Sequence, residues 1–226
     1  MARAGMDAYL EVGAKRVFAG AFEWPGWCRS GRNEDAALGT LLAYGERYAS
    51  VVDGIVGGFH IPVAVSELHL VERLTGDATT DFGAPSIAPA ADARPVDVRG
   101  LRRLQTILDA CWAALDGAVE DARGRPLSKG PRGGGRELEA IVAHVVGAET
   151  GYLRHIAARS PVAEDELVGA AAVVRDTVRA ALATAVTQGL PAAGPRGGKI
   201  WSVRYFVRRT AWHALDHAWE IEDRRV

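Results

Sequence analysis

The chain is poor in cysteine, has no strong excess of either charge and lacks a long apolar run. Its two cysteines, Cys28 and Cys111, lie far apart and form no CxxC pair, which argues against a disulfide scaffold or a structural zinc knuckle. The formal net charge of −1 gives no overall attraction to nucleic acid or acidic lipid. No stretch approaches the roughly 20 apolar residues that cross a bilayer, and residues 1–10 show no signal-peptide pattern. We therefore expect a cytoplasmic protein that binds neither membrane nor nucleic acid.

What the sequence does contain is enough apolar material for a core, in two regions of different texture. Hydrophobic residues make up 48% of the 226, so a folded protein is expected rather than a disordered one. In the first region, aromatic and β-branched runs predict strands at Tyr9–Val12 and Arg16–Phe22, and alternation predicts another at Ile61–Leu70. A helical stripe predicts a helix over Asn33–Ser50, with Asn33 as its cap. This order predicts a small α+β module over residues 1–90.

A stretch rich in proline and alanine follows this module. Ala84–Pro95 contains three prolines, which is typical of a linker. We expect few buried contacts from it and separate cores on its two sides.

Four helical segments follow, over residues 97–226. Apolar residues recur every three or four positions along each segment, as on the buried face of an amphipathic helix. The breaks between segments are rich in glycine and proline: Gly124–Gly135, Ser160–Pro161, where Pro161 is expected to open the third helix, and Gly189–Gly198. The third helix is expected over Asp165–Val186 and the fourth over Trp201–Asp223. Helices joined by such loops predict a four-helix bundle, so the whole chain is expected to be α+β.

Three histidines in this region have the pattern of a metal site. His213 and His217 are four residues apart, which places both imidazoles on one face of the last helix, about 5–6 Å apart at Cβ. His144 lies beside the apolar stripe of the second helix and could supply a third ligand. Three neutral ligands would leave coordination positions open, as in catalytic rather than structural sites. From the residues alone, hydrogen-bonded core histidines remain the alternative.

The helix order and the last helix, with Trp212-His213-Ala214-Leu215-Asp216-His217, resemble the DinB-like superfamily, which includes the N-terminal domain of mycothiol-dependent maleylpyruvate isomerase. The resemblance covers about Asp97 to Arg224. It implies a metal triad of His144, His213 and His217 that binds zinc or nickel. It also implies a transferase or isomerase that uses a low-molecular-weight thiol, although many members have no known activity.

Two carboxylates on the last helix could support such a triad. Asp216 and Glu220 lie within a turn of His217, and either could hydrogen-bond the outer nitrogen of a ligating ring and fix its tautomer. The alternative is that they pair with Arg208, Arg209 or Arg224 along the helix surface, and for Asp216 this is at least as well supported.

In the N-terminal module, the run Val17–Cys28 followed by a helix is similar to the HicB antitoxin fold, whose domain recognises a partner. Here Trp24, Trp27 and Cys28 could line a pocket, but packing in a small sheet core is the favoured interpretation.

Two functions follow as expectations. In the first, a small electrophile is the substrate, and the thiol binds the open metal position, loses its proton and attacks. No protein side chain is assigned as the nucleophile, because Cys111 lies on an apolar helix face. In the second, the protein is a non-enzymatic stress-response or partner-binding protein with a structural or vestigial metal site. A homodimer is left open.

Overall fold

The fold is mixed α+β, with a four-stranded sheet in the N-terminal part and long helices in the C-terminal part. The computed structural model describes residues 5–129, 135–163, 167, 169–194 and 197–226. The α+β class that the sequence predicts is therefore confirmed.

The sheet has the strand order β3-β2-β1-β4. Strands β1 (Met6–Val12), β2 (Val17–Ala21) and β3 (Cys28–Gly31) are antiparallel neighbours. Strand β4 (Leu68–Thr75) pairs with β1 in parallel, which requires a crossover rather than a tight turn. The turn between β2 and β3 passes through Gly26, whose φ of +95° suits a residue without a side chain.

The crossover contains two helices, where the sequence predicts one. Asn33 caps α1 (Glu34–Ala43) as expected, because its side chain accepts from the Ala36 amide at 2.8 Å. The chain then starts α2 (Gly45–Val52) after a break at Tyr44, next to the poor helix former Gly45. A short helix, α3 (Ala78–Phe82), follows β4.

The strand predicted at Ile61–Leu70 is wrong in position. The sheet takes up Leu68–Thr75 instead, where Leu68, Leu70 and Leu74 alternate with exposed residues. Residues 61–64 are irregular and Val65–Glu67 form a 3₁₀ turn. Pro62 has no amide hydrogen to donate to a neighbouring strand, which disfavours pairing there.

The proline- and alanine-rich stretch is attached to the rest of the protein. Pro85, Pro89 and Asp92 are buried, and Ala90–Ala93 form a 3₁₀ turn. One cluster of buried side chains contains residues of both the sheet region and the long helices. The expectation of separate cores is therefore wrong, whereas the division into two domains stays a prediction.

The C-terminal part contains α4 (Val98–Ala122), α5 (Leu138–Leu153), α6 (Ala171–Gln188) and α7 (Val203–Arg224). Pro161 does not open a helix as predicted: residues 160–163 are not helical, and the Ser160 hydroxyl accepts from the Val162 amide. Helix α6 begins at Ala171. The predicted helix start at Asp165 lies outside the described residues. So do Pro131 and Pro195, which belong to the predicted breaks Gly124–Gly135 and Gly189–Gly198.

Helix α7 lies between the sheet region and the other long helices. It contacts α4 most extensively, and also α5 and α6. On its other side Trp212 meets Phe18 of β2, with ring centroids 5.9 Å apart. Among the described helices, none combines the length and apolarity needed to cross a membrane.

Candidate metal centre

Helix α7 places two of the predicted ligands on one buried face. The Ser202 hydroxyl caps the helix by accepting from the Tyr205 amide, so the helix is regular well before His213. His213 and His217 are both buried, and their ring centroids lie 4.7 Å apart. The four-residue spacing therefore produces the neighbouring imidazoles that it predicts.

Helix α5 brings the third histidine to the same point. Ile141 and Val145 bury its apolar face, and His144 projects beside them. The His144 ring lies 5.0 Å from the rings of both His213 and His217. One nitrogen of each ring can be chosen so that all three lie within 4.8 Å of one another. The three predicted residues thus converge, and they could hold a metal ion.

The contact between His144 and His213 has a length that is compatible with a shared ion. Their Nε2 atoms are 3.3 Å apart, which is longer than the usual N–H donor–acceptor distance of about 2.7–3.2 Å. Two nitrogens bound to one tetrahedral zinc at about 2.0–2.1 Å would be about 3.3–3.4 Å apart. This edge of the triangle already has the spacing of two ligands.

The environment keeps two of the three rings, those of His144 and His213, neutral. Burial lowers the pKa of His144 to about 4, with nearby Arg136 and His217 acting in the same direction. Burial also moves the pKa of His213 well below its ordinary value. Neutral imidazole is the form that binds metal, so these two rings need not lose a proton first near pH 7.

Glu220 holds the third ring by its outer nitrogen. Its Oε2 lies 2.7 Å from Nδ1 of His217, and the hydrogen bond lowers the pKa of the Glu220 carboxyl. A carboxylate can only accept from this nitrogen, so Nδ1 carries a proton and Nε2 is the nitrogen that could bind a metal ion. This is one of the two arrangements that the sequence leaves open for Glu220.

Asp216 lies in another environment. Its Oδ1 pairs with Nη1 of Arg29 at 2.8 Å, across the contact between α7 and the sheet region. The described residues show no hydrogen bond between Asp216 and a histidine. Asp216 does pair with an arginine, but with one far away in the sequence rather than with one of the arginines on its own helix.

One polar atom of the cluster is buried without a partner. Nδ1 of His213 makes no hydrogen bond to the described residues, and the rings of Tyr152 and Trp212 lie nearby, 6.2 and 5.9 Å from the His213 ring. An unpaired buried polar atom is costly in free energy and calls for an explanation, such as a catalytic role or a bound water or ion.

The remaining candidates lie elsewhere. His155 stacks on Trp201 at 4.1 Å and is bonded to the Lys199 carbonyl. Trp27 is fully buried and donates to the Leu41 carbonyl, and Cys28 is buried as well, as the core interpretation expects. Five clefts of 280 to 640 Å³ are lined by residues other than the three histidines.

The sequence predicts Arg224 only as a possible surface partner of Asp216 or Glu220, and the structure places it beside this cluster. Nη1 of Arg224 donates to Oε1 of Glu220 at 2.6 Å. The available signal was the spacing of four between an acidic residue and a following arginine, which pairs side chains on a helix surface. That signal does not distinguish a surface pair from one that supports a site.

Comparison with known proteins adds no relative: no family model, curated protein or solved structure matches this chain. The resemblances to DinB-like proteins and to HicB remain predictions.

Proposed function

We propose that α4 to α7 form a DinB-like four-helix bundle and that His144, His213 and His217 bind one divalent metal ion in it, zinc or nickel. The observation that carries the proposal is the convergence of three imidazoles from two helices, with nitrogens within 4.8 Å of one another. The 3.3 Å spacing of two nitrogens and the low pKa of two rings support it.

The protein's own contribution to such a site is orientation. Helix α7 fixes two rings one turn apart, and Glu220 fixes the tautomer of His217. His213 and His217 are buried whereas His144 is only half-buried, so the cluster is accessible from the His144 side. A ligand would approach from that side.

We further propose a thiol-dependent transferase or isomerase that acts on a small electrophile. A bound divalent ion would supply an open coordination position that lowers the pKa of a thiol cosubstrate. Neither cysteine is suited to act as the nucleophile, because burial raises the pKa of Cys28 to about 12 and that of Cys111 even further.

Metal content tests the first step. Untagged protein, purified without a chelating column, should carry close to one zinc or nickel ion per chain by elemental analysis. His213→Ala should abolish tight binding, because two nitrogens remain. His69→Ala is the matched control: its ring is exposed beside Asp7, and the variant should keep the metal. Equal metal content in wild type and His213→Ala would reject the site.

Thiol binding tests the second step. Cobalt(II)-loaded protein should change its visible spectrum on addition of a low-molecular-weight thiol, and a thiol-reactive electrophile should then be consumed faster than with thiol alone. A spectrum that thiols leave unchanged would reject the thiol chemistry and leave the metal site standing.

A second candidate is a non-enzymatic stress-response or partner-binding protein with a structural or vestigial metal site. The observation in its favour is that the three histidines line none of the five clefts named above. Tight metal binding without any thiol response would favour this candidate.

A further inference from the structure

Arg224 lies at the end of α7 and is nearly enclosed, with 9% of its side chain exposed. Its guanidinium donates three hydrogen bonds in three directions. Nη1 donates to Oε1 of Glu220 at 2.6 Å, Nε to the Ser128 carbonyl at 2.8 Å and Nη2 to the Arg136 carbonyl at 2.9 Å. A planar guanidinium whose three nitrogen atoms each donate a hydrogen bond is held in one orientation, so Arg224 is a fixed donor.

The two oxygens of Glu220 have different partners. Oε1 accepts from Arg224, and Oε2 faces Nδ1 of His217 at 2.7 Å. Without Arg224, only the bond to His217 would hold the Glu220 side chain, and because this side chain is 30% exposed, water could compete for that bond. The arginine therefore determines where the carboxylate stands, and the carboxylate determines the orientation of the imidazole.

The backbone around Arg224 is adapted to this arrangement. The Ser128 amide donates to the Arg224 carbonyl at 2.7 Å. Both the amide and the carbonyl of Ser128 are therefore hydrogen-bonded to Arg224, which joins the chain after α4 to the end of α7. At Gly135, whose φ is +145°, a Cβ atom would lie 2.5 Å from Nη2 of Arg224. Glycine allows the guanidinium to approach the backbone there.

We propose that Arg224 is a positioning residue for the metal centre: through Glu220 it holds His217 in the orientation and tautomer that bind the ion. The inference rests on the proposed metal site. It adds that the connection between α4 and α5 contributes to metal affinity, although its described residues supply none of the three ligands.

The test measures zinc affinity of the full-length protein by competition with a chelator. Arg224→Gln should weaken zinc binding about 10-fold, at the low end of the 10- to 100-fold range typical of groups that orient ligands. Arg224→Lys, which keeps the charge but not the fork, should recover part of this loss. The control is Arg225→Gln, since Arg225 pairs with Asp121 at the surface and should leave the affinity unchanged.

A double-mutant cycle separates positioning from a purely structural role. In a Glu220→Gln background, Arg224→Gln should change zinc affinity by less than about twofold, because its path to His217 is already broken. Equal effects of Arg224→Gln in both backgrounds, or no effect in either, would overturn the inference. Should Arg224→Gln fail to fold, as judged by circular dichroism, Arg224→Lys replaces it in the same cycle.

The outcomes also separate this inference from the proposed function. Wild-type protein that binds no zinc would reject the metal site itself. Tight zinc binding by wild type and by both Arg224 variants would leave the metal site in place and reject only the role of Arg224.

Discussion

Asp92→Ala should be among the most destabilising single substitutions in the chain. Asp92 is 1% exposed and Arg208 is 6% exposed. The carboxylate accepts from Nε and from Nη2 of Arg208, both at 2.7 Å, in a two-pronged pair. Removal of the carboxylate leaves a buried guanidinium without a counter-charge, and loss of one partner of a buried pair costs about 3–5 kcal/mol.

The structure favours the lower end of that range. Arg208 keeps two other acceptors, the carbonyls of Ala21 at 2.8 Å and Phe22 at 3.0 Å. We therefore expect the free energy of unfolding to fall by about 3 kcal/mol. In a chain of this size each kcal/mol lowers the melting temperature by about 2–4 °C, so the shift should be about 6–12 °C.

Scanning calorimetry, with urea unfolding as a second measure, gives both quantities. Asp121→Ala is the matched control, because Asp121 pairs with Arg225 while its side chain is 68% exposed. Its free energy of unfolding should change by less than about 0.5 kcal/mol. If the two variants lose equal stability, burial of the Asp92–Arg208 pair does not determine the cost and the reasoning is refuted.

A double variant tests the cause. Adding Arg208→Met to Asp92→Ala removes the unpaired charge but leaves the Ala21 and Phe22 carbonyls without a donor. The double variant should therefore lose less than the sum of the two single losses. Strict additivity would show that the unpaired charge is not the source of the cost.

Two further predictions concern buried titratable groups. Burial raises the pKa of Glu149 to about 7, and its ordinary value in an unfolded chain is about 4.3. The neutral carboxyl thus stabilises the fold fully below about pH 4.3, and this contribution is lost as the pH rises toward 7. Urea unfolding at pH 5 and pH 8 should therefore show a smaller fall in the free energy of unfolding for Glu149→Gln than for wild type. The control is Glu139→Gln at an exposed position, which should behave as wild type. Cys28 and Cys111 should not react with a thiol reagent in native protein and should react at once in urea; fast labelling of either in the native state would contradict their burial.

The local part of the candidate site could be predicted from the sequence. Because His213 and His217 are four residues apart, their side chains lie next to each other on any regular helix, whatever the rest of the fold. The position of His144 depended on the height at which α5 packs beside α7, a tertiary property. Its neighbours Ile141 and Ala148 indicated an inward face, and the 3.3 Å contact with His213 agrees with that expectation.

The partners of the charged residues could not be predicted in this way. Arg29 meets Asp216 from 187 residues away in the sequence, and Asp92 meets Arg208 from 116 away. Local patterns assigned Asp216 and Arg208 to pairs along the helix surface, because only neighbours on one helix are visible in a sequence. The proline-rich stretch likewise indicated a linker, since composition does not reveal that its one aspartate neutralises a buried arginine.

The expectation of separate cores could have been questioned from α7 alone. A helix that packs on one side only has one apolar stripe, whereas large apolar residues at several angles around the axis need partners on more than one side. Helix α7 buries Phe206, Trp212 and Ile221, which point in different directions around its axis. It therefore needs packing partners on opposite sides. Helices α4, α5 and α6 pack on one side, and the sheet region packs on the other. The contact between Phe18 and Trp212 is the result, so that the helix that carries His213 and His217 is held between both parts of the chain.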